Sequence, residues 1–84
     1  MEWHPIPHRG GTLWILMGSL RPTSKGPRRT KYAELIQRND DHKTPTVRFL
    51  NGGYAGQIMS LDESRTIDEL KLIVETMVRL DGGE

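Results

Sequence analysis

Eighty-four residues carrying 12 Lys+Arg against 11 Asp+Glu give a formal net charge of +1 and an isoelectric point near 8.2. At that length the chain makes a single domain over residues 1–84, with a small core and modest stability. No cysteine is present, which excludes disulfides and thiolate metal sites and fits a reducing compartment. The longest apolar run, Leu13–Met17, is far too short for a membrane span, and Met1–Pro5 lacks the pattern of a secretory signal. A soluble, cytoplasmic protein is expected, with no membrane partner.

Trp3-His4-Pro5-Ile6-Pro7-His8 predicts an extended N-terminal segment over 1–11, because each proline keeps its predecessor out of the helical region. After Gly10-Gly11, Thr12–Leu20 is expected to form a central strand. Its residues are apolar on both faces, with Leu13, Ile15 and Met17 on one side and Trp14 and Leu16 on the other. Residues 21–31 follow as a basic loop. Arg21, Lys25, Arg28, Arg29 and Lys31 occur there without an acid, and Pro22, Gly26 and Pro27 interrupt regular structure. Thr30–Arg38 balances helix formers (Ala33, Glu34, Leu35, Gln37, Arg38) against strand formers (Thr30, Tyr32, Ile36). Its shortness tips it to strand.

Asn39–Lys43 is polar turn chemistry, and Pro45 stands at a strand entrance. Thr46–Leu50 and Tyr54–Leu61 are expected to pair around a type I′ turn at Asn51-Gly52. That register sets Phe49 opposite Tyr54 and Val47 opposite Gly56, unless Gly53 forms a bulge and shifts it. A helix over 66–81 completes the chain. Thr66-Ile67-Asp68-Glu69 reads as a capping box, and Ile67, Leu70, Ile73, Val74, Met77 and Val78 form an apolar stripe. Asp68, Lys71, Glu75 and Arg79 are its expected wet face, with Lys71–Glu75 and Glu75–Arg79 as weak surface pairs.

The expected fold class is α+β, a small antiparallel β-sheet of about four strands with one C-terminal α-helix packed on one face. One helix covers one face only. The other side of the doubly apolar first strand therefore needs the Trp3 segment, a partner or a second copy, and a homodimer through the sheet is expected.

No catalytic or cofactor signature stands out. His4 and His8 share a spacing that would join two metal ligands on a helix. With Pro5 and Pro7 between them the chain is extended and the rings lie roughly 12 Å apart. Only His42 and carboxylates could complete such a site, so no metal is expected. The glycine pairs lack a phosphate-loop or dinucleotide pattern, and Thr23-Ser24-Lys25 lacks a positioned base. Arg48–Tyr54 does not match the RNA-recognition strand signature.

The charge distribution is the more informative feature. Residues 1–31 hold six basic side chains against Glu2 alone, a balance of +5, while residues 32–84 hold six against ten acids, a balance of −4. A non-enzymatic binding protein is the expected function. Arg21, Lys25, Arg28, Arg29 and Lys31 would contact an acidic surface of a protein or nucleoprotein complex, with Trp14 or Tyr54 as an aromatic anchor. The format is that of small phage or mobile-element inhibitors of host nucleic-acid machinery such as CRISPR complexes. Direct DNA or RNA binding through the same loop and the sheet face is the alternative.

Overall fold

The computed structural model describes residues 1–38 and 44–83. Five strands, β1 (Glu2–His8), β2 (Gly11–Arg21), β3 (Arg28–Arg38), β4 (Thr46–Phe49) and β5 (Ile58–Ser60), precede one helix, α1 (Ile67–Leu80). The strands form a single antiparallel meander in chain order. The α+β class holds, and the sheet gains a strand beyond the four expected.

The added strand is the N-terminal segment. Trp3 pairs with Leu16, Pro5 with Trp14 and Pro7 with Thr12, and Arg9-Gly10 turns the chain into β2. An edge position tolerates both prolines, since a missing N–H there can face away from the ladder. β2 becomes an interior strand, as its two apolar faces require. The segment 30–38 is strand throughout. The expected turn at Asn39–Lys43, and His42 with it, lie outside the described residues.

The hairpin between β4 and β5 differs from the expected one. Asn51 does not take the positive φ that a type I′ turn needs, although Gly52 does, at +87°. A longer loop results. Phe49 N–H bonds the Gln57 carbonyl, Gly56 N–H bonds the Phe49 carbonyl, and Val47 pairs with Met59 rather than Gly56. Tyr54 lies in this loop, with its ring 5.3 Å from that of Phe49. The physical reason is tertiary: Gly53 N–H donates to the Asp81 carboxylate just past α1, which fastens the loop to the helix end.

One face of the sheet meets α1. Leu16, Ala33, Leu35, Val47 and Phe49 pack against Leu70, Val74 and Val78, all of them buried. Met1, Trp3, Trp14 and Met59 extend that core toward the sheet edges. Leu80, at the end of the stripe, is exposed.

The start of the helix matches its local signal. Thr66 Oγ1 accepts the Glu69 N–H at 3.2 Å, and Glu69 Oε1 accepts the Thr66 N–H at 3.2 Å. The Thr66 N–H and then its hydroxyl, with Arg65 beyond, hold the Glu69 carboxyl below its ordinary 4.5. A depressed folded pKa means that Glu69 stabilises the fold above its ordinary value and loses that effect as pH falls through the folded one. Thr66→Ala removes the cap and should cost about 1 kcal/mol at neutral pH. Thermal melts of both proteins should show the gap narrowing below pH 4.5; a gap that persists into acid would mean the box does not depend on ionised Glu69.

Candidate functional site

The basic segment 21–31 is a two-stranded arm rather than a loop. β1 stops pairing with β2 at Met17, and β4 stops pairing with β3 at Ala33. β2 and β3 continue together beyond those points, through Leu20–Arg29 and Arg21–Arg28. The register shifts between Leu16 and Leu20, an irregularity of the kind that twists and re-aims a strand pair. With this arm the molecule extends 45 Å along its long axis and 26 and 21 Å along the others.

The tip is tightly closed. Thr23 and Gly26 exchange backbone hydrogen bonds of 3.1 and 3.0 Å, and the Thr23 hydroxyl donates to the Gly26 carbonyl. Lys25 N–H bonds the same hydroxyl at 3.2 Å. Gly26 takes φ +101°, a conformation that a side chain would strain. Pro22 and Pro27 flank this turn and restrict the backbone on both sides. Lys25 is thus carried on an ordered turn, which lowers the entropy lost when the arm meets a partner.

All five cations of the segment are exposed: Arg21, Lys25, Arg28, Arg29 and Lys31. At the root, Glu2 carries its carboxylate 3.0 Å from Arg29 and 3.2 Å from His4. Leu20 adds an exposed apolar side chain, with 57% of its surface accessible. The arm therefore offers a narrow ribbon of positive charge with one apolar contact.

The two aromatic candidates lie elsewhere. Trp14 is in the body of the sheet on the helix side, with Lys71 Nζ 3.4 Å above its ring and its Nε1 donating to Gln37 Oε1 at 3.3 Å. Its ring is committed to holding α1 on β2, so it does not stand open as an anchor. Tyr54 is 36% exposed and packs against Phe49, in the loop that leaves β4 at the end nearest the root of the arm. Lys71 and Glu75 also depart from the expected surface pair: Glu75 Oε1 accepts the Trp3 Nε1–H at 2.8 Å. Both side chains grip the sheet through its tryptophans.

Among the described residues no group of three or more His, Cys, Asp or Glu is placed to hold a metal ion. No helix in the described residues is long and apolar enough to cross a membrane. Comparison with family models, with curated proteins and with solved structures found no match to this chain.

Proposed function

We propose that the protein is a non-enzymatic binding protein that uses the β2–β3 arm to dock on an anionic surface of a nucleic-acid-processing complex. In this reading it acts as a small inhibitor occupying the approach to a nucleic-acid channel. The observation that carries the reading is the concentration of five exposed cations on one ordered projection and its root, where Lys31 pairs with Met17, in a chain whose remainder is net acidic. Confining the charge to the arm favours a defined orientation, because the rest of the surface does not attract the same partner.

Direct nucleic-acid binding is the second reading, favoured by the shape of the arm. A two-stranded ribbon fits the major groove of duplex DNA, and basic side chains on it would neutralise phosphates. A salt titration separates the two. Affinity for a duplex oligonucleotide that falls steeply and linearly with the logarithm of salt, with a slope reflecting about three to five phosphate contacts, supports the second reading. No measurable duplex binding at low salt, alongside retained binding to a protein complex after nuclease treatment, supports the first.

A further inference from the structure

The sheet face away from α1 carries a patterned set of side chains apart from the arm. Across its middle runs the row His4, Ile15, Glu34, Arg48, Ile58, one residue from each strand in register. Beside it runs Ile6, Leu13, Ile36, Thr46, Ser60. Glu34 and Arg48 form an ion pair of 2.8 Å, and Glu34 is only 20% exposed. Ile58 is 67% and Ile6 42% exposed, and a cleft of about 330 Å³ on this face is lined by Ile58, Leu13, Ile36, His8 and the ion pair.

We propose that this face is the interface of a two-fold homodimer in which Glu34 and Arg48 exchange partners between copies. The centre of the face holds one acid and one base surrounded by aliphatic side chains, so it is complementary to itself. Glu2 is paired with Arg29 and Glu34 with Arg48, so the face carries no excess of positive charge that would recruit a polyanion. With the axis between β3 and β4, β2–β5 face their counterparts and β1 overhangs, so four strands about 4.8 Å apart over about six residues of 3.3 Å give a planar footprint of roughly 400 Å². The relief of Ile58 and the cleft adds to that area, and the interface stays smaller than the roughly 800 Å² per partner of a standard one, as suits a dimer that forms at micromolar concentration.

Charge also fixes the direction of the axis. An axis running across the strands along the central row would set Glu34 on Glu34 and Arg48 on Arg48, a doubly repulsive contact. An axis running along the strands between β3 and β4 sets β3 of each copy over β4 of the other. Glu34 then faces Arg48 twice, and four charges form an alternating square. The same operation places the exposed Ile58 of each copy over Ile15 of the other, and Ile36 over Thr46. Strand directions stay roughly aligned, as in ordinary sheet-on-sheet packing. Both basic arms then leave the dimer from the same end.

Sedimentation equilibrium tests this arrangement. The wild type at about 100 μM should sediment at twice 9.6 kDa. Ile58→Asp should weaken association by about tenfold or more while leaving the circular dichroism unchanged, since Ile58 is largely exposed in the single chain. Glu34→Arg and Arg48→Glu should each fall to monomer, and an equimolar mixture of the two should associate. The mixture distinguishes exchange between copies from the intrachain pair, which mixing cannot restore. Should either charge variant fail to fold, Ile58→Asp alone carries the test. A wild type that remains monomeric, a dimer that Ile58→Asp leaves intact, or two folded charge variants that do not associate when mixed would overturn the proposal.

Discussion

Replacing Val74 by Asp should unfold the domain or lower its melting temperature by roughly 15 °C or more. Val74 has no accessible surface and sits where α1 crosses the sheet, within the cluster of Leu16, Leu35, Val47 and Phe49. The described core contains no buried polar group that could receive a carboxylate. An unpaired carboxylate there costs about 3 kcal/mol or more, even after its pKa rises to leave it neutral. For a chain of this length the whole stability is about 4–13 kcal/mol, so one substitution removes a large part of it. Thermal unfolding followed by circular dichroism gives the answer. An unchanged melting temperature would mean that the helix stripe does not face the sheet.

The second large effect is on binding. Arg28 and Arg29 lie on the strand of the arm that leads back from its tip, both exposed. Changing both to Glu shifts the arm by four charges and sets acids beside the partner's own. Like charges brought together in a docked complex cost several kcal/mol, which corresponds to a loss of affinity of a hundredfold or more, by an order-of-magnitude estimate. Stability should move little, because exposed substitutions outside the core typically change it by less than about 0.5 kcal/mol. Among the described residues the fold contact at stake is the exposed Arg29–Glu2 pair at 3.0 Å, and surface pairs contribute little. A variant that folds normally but does not bind is the expected outcome.

The helix was legible from sequence because its information is local. Thr66 and Glu69 are three residues apart and cap one another whatever lies beyond them, and the stripe from Ile67 to Val78 repeats at the helical period. Elements that depend on distant residues were harder to read. The two prolines identify an extended N-terminal segment, but only the pairing with Gly11–Met17 makes it β1. Asn51-Gly52 is a strong local hairpin signal, overridden by Asp81, which holds Gly53 from 28 residues away. Lys71 and Glu75 look solvated by periodicity, yet each reaches from α1 to a tryptophan of the sheet, Trp14 on β2 and Trp3 on β1.

The candidate site divides along the same line. Composition located Arg21, Lys25, Arg28, Arg29 and Lys31, but the clustered Pro22, Gly26 and Pro27 suggested that the whole stretch was loop. Those breakers occupy only the tip, and the ladder between Arg21 and Arg28 is non-local information. The same gap hid the commitment of Trp14 to the helix side. What the structure adds is form: an ordered ribbon of cations displayed beyond the sheet.

Side-by-side capture with wild type and the Arg28→Glu/Arg29→Glu variant, from the same cell extract with and without nuclease, tests the role of the arm most directly. The wild type should retain a defined complex that the variant loses, while both proteins show the same melting temperature. Equal retention of that complex by the two proteins would contradict docking through the arm and move the functional surface to another part of the molecule.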